Sequence, residues 1–392
     1  MRWNFLNQAT RPIGVDIGSS GVKLMQLDGD GAALGTLAAS RKDFGRPRPE
    51  EPVQRRLEIE RTLRAALEMA PFRGNACVIA PSPSDLMIRA VRLPSMTDEE
   101  RNKAVRWEAS ERFAVPMDEI EVEWIHAGEV SQGHDTRDEV ILIAARRTVL
   151  ETYLDAVLAV GLRPLAVDAS FLASARNLTR PLRRQEDQSV AHMIIDVGLS
   201  LTTVSITRGR NLAFVKVIEI AGRDFNKALS DRLSLDDDAA SQLRIERMNA
   251  HADEADNEDR VSRAAFEAIR PHMHELAQEA ALCLRYYSVT FRGARPDSVS
   301  IIGGEAREPR LASIFTEHLK VEAVVASPLE GIDVAAADMR LDRRHASLTE
   351  WGVAAGLSMR PAATFHASLA NRARGAASLR KSASGERTRG VA

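Results

Sequence analysis

The feature that most constrains this fold is a motif that occurs twice. Val15-Asp16-Ile17-Gly18-Ser19-Ser20 and Ile195-Asp196-Val197-Gly198-Leu199-Ser200 share the pattern apolar-Asp-apolar-Gly-x-Ser, 180 positions apart. Each closes an apolar strand signature and opens another. Two copies at equivalent places predict two similar halves. A Gly/Ser turn between strands gathers backbone N–H groups toward one point, which suits phosphate oxygens. Gly18 and Gly21 permit close backbone approach, and Lys23 adds a cation. Asp16, at the strand end, has the chemistry to hold magnesium through water. Taken singly, the first turn reads equally well as a hairpin turn with a cap-like Asp. The repeat favours two turns that clamp a polyphosphate and its Mg²⁺ from both sides. A P-loop is excluded, because its Gly-x-x-x-x-Gly-Lys-Ser/Thr order is absent.

A third glycine turn, Ile302-Gly303-Gly304-Glu305-Ala306, follows a strand signature. Adjacent glycines let a flat ring or a phosphate lie on the backbone, although alone the segment reads as a plain strand-to-helix turn. Between the halves, Leu86 to Leu93 reads as a strand with Met87, Arg89, Val91 and Leu93 on one face. Thr97 with Glu100 forms a capping box that opens a helix ending near Pro116. Two strands, Glu119 to His126 and Glu139 to Ala145, follow around a polar turn near Gly133, then a helix from Arg147 to Val160. Asp224 to Arg247 reads as one charged helix, and Ala264 to Phe291 as a long one with Pro271 inside.

Composition narrows the function classes. The 392 residues suggest two to three domains, and 44% hydrophobic content is ample for sizeable cores. The net charge of −2 argues against nucleic acid. It conceals a basic tail from Ala362 to Ala392, net +5, and a body of −7. The tail reads as a solvated, disordered terminus, with weak contact to anionic lipid as the alternative. Two distant cysteines, Cys77 and Cys283, exclude a disulfide scaffold. No apolar run approaches the roughly 20 residues of a membrane span, and Met1 to Leu6 lacks a signal-peptide core. His272 and His274 point apart on a helix, and the acids near Asp253 lack calcium-loop spacing, so neither predicts a metal site.

With the three turns in this order, the chain resembles the actin-like ATPase superfamily. The connecting segment narrows the resemblance to the PilM family of type IV pilus assembly proteins. It is carried by Leu93-Pro94-Ser95-Met96-Thr97-Asp98-Glu99-Glu100, Ala104-Val105-Arg106-Trp107-Glu108-Ala109, Val115-Pro116-Met117-Asp118, Gly161-Leu162-Arg163-Pro164 and the closing Gly352-Val353-Ala354-Ala355-Gly356-Leu357. FtsA, a cell-division relative, shares the superfamily. The resemblance implies an α/β actin-like fold, two duplicated lobes around a nucleotide cleft with a small inserted α+β subdomain. The expected units are 1–84 with 162–184 (first lobe), 85–161 (inserted subdomain), 185–361 (second lobe, helical part about 222–268) and 362–392 (tail).

It also implies ATP and Mg as cofactors. The implied contacts are Asp16, Gly18, Ser19, Ser20, Gly21 and Lys23 on the first turn, and Asp196, Gly198, Ser200, Thr202 and Gly222 around the second. Gly303, Gly304, Glu305 and Arg244 belong to the adenosine side, and Asp16 and Asp196 to magnesium through water. Asp168 is the one candidate general base. The implied partner is a PilN-like single-span inner-membrane protein, bound through its cytoplasmic N-terminal peptide along Met87, Arg89, Val91 and Leu93. A pilus motor ATPase and self-association are further implied contacts, and the setting is cytoplasmic, peripheral to the inner membrane, in a type IV pilus or type II secretion-like assembly platform. Two departures from the family pattern stand out. Ser241 and Arg244 replace an acidic residue and a lysine, and Glu305 follows the glycines where a small residue is usual. A carboxylate at 305 would point outward or repel the α-phosphate. The reading is nucleotide binding with slow or no hydrolysis. An active phosphotransferase and a nucleotide-free scaffold remain as alternatives.

Overall fold

A computed structural model describes residues 11–30, 33–45, 49, 51–132, 135–249, 260–292, 295–334 and 348–360. The basic tail, the acids from Asp253 to Asp259 and the turn at Gly133 lie outside the described residues.

The two halves of the chain build the same sheet. In the first, β1 (Ile13–Ile17), β2 (Gly21–Asp30) and β3 (Ala33–Asp43) form an antiparallel meander. β4 (Ala76–Ala80) and β8 (Arg163–Val167) then extend it in parallel from β1. In the second, β9 (Ala191–Val197), β10 (Thr202–Arg208) and β11 (Asn211–Ile218) form the meander, and β12 (Ser298–Ile302) and β13 (Ala323–Val325) the parallel extension. The strand orders are therefore equivalent, with a short β14 (Ile332–Asp333) added beside β3. The motif aspartates occupy matching places: Asp16 lies opposite Lys23, and Asp196 opposite Thr203.

Parallel extensions need crossover helices, because consecutive parallel strands cannot be joined by a tight turn. α1 (Pro52–Glu68) and α3 (Arg147–Ala159) cover the first sheet, and α7 (Arg260–Thr290) and α8 (Leu311–Leu319) the second. Ile59, Leu63, Tyr153, Ala156 and Val157 pack with Ile13, Val15 and Ile17. In α7, Phe266, Ile269, Met273, Leu276 and Ala280 recur at helical spacing and bury against Met193, Ile195 and Val204. α7 stays one helix through Pro271.

Two further helices cross where the lobes meet. α4 (Ser170–Leu178) and α9 (Gly352–Ser358) approach so closely that a Cβ on Gly356 would lie 1.9 Å from the Ala173 carbonyl oxygen. Gly14 of β1 is equally constrained, since its Cβ would lie 2.1 Å from the Ala354 oxygen. Small residues let backbone meet backbone here, which fixes the joint between the halves.

The segment between β4 and β8 forms a separate antiparallel sheet, ordered β5 (Leu86–Pro94), β7 (Asp135–Arg146), β6 (Ile120–Gln132), under α2 (Asp98–Arg112). The Thr97/Glu100 capping box forms as expected. The sequence reading placed 85–161 in this unit, but α3 buries its apolar face in the first lobe's core. The predicted helix from Asp224 to Arg247 is in fact two, α5 (Gly222–Leu233) and α6 (Asp237–Asn249). Ser234 turns left-handed at φ 55°, and the Asp236 carboxylate then accepts from the Ala239 N–H at 2.7 Å, capping α6.

Candidate functional site

The two motif turns face each other across a cleft of about 1600 Å³ between the lobes. Asp16, Gly18, Ser19, Ser20 and Lys23 line one wall, and Asp196, Gly198 and Ser200 the other. Gly303, Gly304, Glu305 and Arg244 line the same space, so the structure brings together most of the residues expected from sequence. Both turns have the same internal geometry. The Gly18 N–H donates to the Gly21 carbonyl at 3.0 Å, and the Gly198 N–H to the Leu201 carbonyl at 3.1 Å.

The charges at the centre are tightly placed. Lys23 Nζ lies 3.5 Å from Asp16 Oδ2, and both side chains are only 13% exposed. Burial pushes the Asp16 carboxyl above its ordinary range, while Lys23 pulls it back. Burial and the nearby Asp16 charge push Asp196 up to about 6. Two carboxylates with one lysine between them form a site that gains from an added cation.

Two observations show that these residues fit a nucleotide. The Ser200 hydroxyl is buried in the second turn and has no hydrogen-bond partner among the described residues, a polar group that a phosphate oxygen would satisfy. At Gly304 an added Cβ would meet only Glu350 Oε2, at 4.0 Å, so the turn presents bare backbone to the cleft. Gly303 differs: its φ is +103°, and a Cβ would lie 2.6 Å from Asp196 Oδ1. It holds the third turn against the second.

Several expected ligands do something else. Gly21, Thr202 and Gly222 support the cleft without lining it. A Cβ on Gly21 would strike the Lys42 carbonyl, and one on Gly222 the Glu305 carboxyl. Thr202 is buried, and its hydroxyl donates to the Ile220 carbonyl at 2.7 Å. Arg244 forms the floor with its donors already engaged. Nε donates to Glu308 at 2.9 Å, Nη1 to the Gly222 carbonyl and Asn226, and Nη2 to Glu305 at 2.5 Å. Glu305 neither points outward nor stands as a bare charge beside a phosphate, because Arg244 neutralises it.

Asp168 requires a correction. Its side chain is 1% exposed and paired with Arg176 and Arg360, each at 2.8 Å. Oδ1 also accepts from the Ala169 N–H. Both guanidinium groups occupy the carboxylate, and it does not line the cleft. The partner face requires another. Val91 and Leu93 are buried with Val105, Ala109 and Phe113 beneath α2, and Met87 packs against them. Only Arg89 of that set is exposed. The sequence reading missed Arg41, Asp43 and Glu350, which line the cleft mouth. No short motif marks them, because Arg41 and Glu350 meet across 309 residues.

The duplicated meander-plus-parallel sheets, with a cleft between them, define an actin-like ATPase fold. A family model described as "Type IV pilus assembly protein PilM" matches residues 14–362. The chain belongs to this PilM family. The PilM-PilN type IV pilus biogenesis complex contains a similar chain, 25% identical with a TM-score of 0.71, covering 89% of this chain and 98% of that one. The cell division protein FtsA of Bacillus subtilis (strain 168) is 23% identical over 255 residues, 56% of this chain. The chain spans 54% of that relative's length. No helix among the described residues is long and apolar enough to cross a membrane.

Proposed function

We propose that this protein is a nucleotide-binding adaptor of a type IV pilus inner-membrane platform. ATP would occupy the cleft between the lobes, with its phosphates over the two motif turns. The observation that carries this reading is the pair of turns facing each other across the cleft, the second of which holds a Ser200 hydroxyl without a hydrogen-bond partner among the described residues. Asp16 and Asp196 would hold a hydrated magnesium ion, which would shield phosphate charge. Ser19, Ser20 and Ser200 orient the phosphate chain, and Gly303–Gly304 offers flat backbone to adenosine. Asp168 is enclosed by Arg176 and Arg360 and does not line the cleft, and the reading is nucleotide binding with slow or absent turnover.

The membrane link would be a PilN-like protein, bound through a short cytoplasmic N-terminal peptide. Family membership and similarity to the PilM-PilN complex support this. β5 is an outer strand of the inserted sheet, with Arg89, Ala90 and Arg92 exposed. An outer strand offers unpaired backbone groups to an extended peptide. The protein would then sit on the cytoplasmic side, peripheral to the membrane. Pull-down of a single-span protein from membranes, with and without Mg-ATP, tests the reading. Recovery that nucleotide alters supports it, and no recovery of such a protein contradicts it.

A further inference from the structure

Asp16, Lys23 and Arg41 stand side by side across three strands. Asp16 on β1 lies opposite Lys23 on β2, and Lys23 lies opposite Arg41 on β3. Opposite residues on neighbouring antiparallel strands leave the same sheet face, and all three line the cleft. The corresponding row in the second lobe is Asp196, Thr203 and Val217. It repeats the aspartate and neither cation. The turns are duplicated, yet in this row both cations come from the first lobe, while Arg223 and Lys227 of the second lobe line the cleft from other elements.

Arg41 is held at the cleft mouth. Nη1 donates to both oxygens of Glu350, at 2.7 and 2.6 Å, and Nε donates to Asp43 Oδ1 at 3.0 Å. Glu350 lies where the lobes meet, since Trp351 beside it packs with Met25 and Leu27 of the first sheet. Its neighbour Thr349 accepts from the Gly303 N–H at 3.0 Å and donates back to the Gly303 carbonyl at 2.9 Å. The Arg41–Glu350 pair thus ties the first lobe's sheet to the turn carrying Gly303 and Gly304.

Lys23 is already matched by Asp16, with Glu350 as the next carboxylate and Asp196 after it. A terminal phosphate adds negative charge beyond what Lys23 can balance. The next cation along the row is Arg41, and a guanidinium takes phosphate in a bidentate grip. Its side chain is 41% exposed, so its pairing with Glu350 is screened and exchangeable.

Resting on the nucleotide reading above, we propose that Arg41 reads the terminal phosphate. With a triphosphate in the cleft it leaves Glu350 and pairs with the phosphate; with a diphosphate it stays on Glu350. The strap across the cleft then has two states that differ with the nucleotide, which is what couples occupancy to the set of the lobes.

Calorimetric affinities for Mg-ADP and Mg-ATP test this on the full chain, for wild type, Arg41→Ala and Glu350→Gln. Arg41→Ala is expected to weaken ATP by about tenfold or more and to leave ADP nearly unchanged, because a hydrogen bond to a charged group is lost in one complex only. Glu350→Gln weakens the competitor and tightens ATP relative to ADP. Equal loss for both nucleotides, or no loss, overturns the assignment. Should Arg41→Ala fail to fold, Glu350→Gln decides, and an unchanged ATP-to-ADP ratio overturns it. Wild type that binds neither nucleotide overturns the underlying reading, a result distinct from binding both with Arg41 indifferent.

Discussion

The Arg244 guanidinium and the Glu305 carboxylate meet at 2.5 Å inside the second lobe, where Arg244 is 1% exposed. With Ser241, these are the positions at which the sequence resemblance implies a departure from the family pattern, and Arg244 and Glu305 answer each other. Their contact joins α6 to the turn carrying Gly303 and Gly304, and Gly222 and Glu308 complete the setting. Arg244 donates four hydrogen bonds, and Nη2 also lies 2.8 Å from Glu308 Oε2.

Removing one member of this cluster leaves buried charge unbalanced. Arg244→Met is expected to destabilise the protein by about 3–5 kcal/mol. Arg244→Met combined with Glu305→Gln should cost less than the sum of the two singles, as expected for side chains in contact. Urea unfolding of the three variants measures the coupling. Strict additivity would show that the pair does not hold the turn.

Asp196 gives a pH dependence of known sign. Its folded pKa of about 6 stands above the ordinary 3.8, so the folded state binds the proton more tightly. That contribution is complete below about pH 4 and is lost as pH rises through 6. Without ligand, Asp196→Asn should therefore stabilise the protein at pH 7, by on the order of 1–3 kcal/mol at 1.36 kcal/mol per pKa unit, and have no effect near pH 4. Melting curves at the two pH values test this. A variant destabilised equally at both would contradict the buried-charge account.

The glycines separate packing from binding. Gly356→Ala drives a Cβ to 1.9 Å from the Ala173 oxygen and should open the α4–α9 crossing, with a clear loss of melting temperature. Gly304→Ala meets only Glu350 Oε2 at 4.0 Å, so the fold should tolerate it while nucleotide affinity falls. Thermal melting and nucleotide titration on the same two variants give the comparison. If Gly304→Ala binds as the wild type does, nucleotide does not lie on that turn.

The inserted sheet offers a similar contrast. Leu93→Ala empties a buried site under α2 and should cost about 2–5 kcal/mol. Arg89→Glu lies on the surface and should leave stability unchanged while reducing capture of the membrane partner. Circular dichroism melts and a pull-down separate the two. Undiminished capture with Arg89→Glu would move the partner off β5.

The duplicated turns were legible because they are local. Asp16, Gly18 and Lys23 declare their chemistry within eight residues, and Thr97 with Glu100 within four. What escaped is built at long range. Arg41 and Glu350 are 309 residues apart, and Arg244 and Glu305 are 61 apart. Nothing in either local segment announces its partner. Asp168 misled because a conspicuous Asp after a strand carries no sign of the two arginines that enclose it. β5 misled for another reason: its alternation shows two faces but not which is covered. Val91 and Leu93 face α2, and Ile88 packs near Phe171 and Leu212 on the other side. The helix break at Ser234 was hidden because Asp236 reads as one more acid in a charged run.

The central claim is that nucleotide binds between the two turns. Calorimetric titration of Mg-ATP into wild type and the Asp16→Ala/Asp196→Ala variant tests it most directly. Saturable binding by the wild type that is abolished or at least about tenfold weaker in the double variant is the predicted result. Equal affinity in the two proteins, with the variant folded, would contradict it.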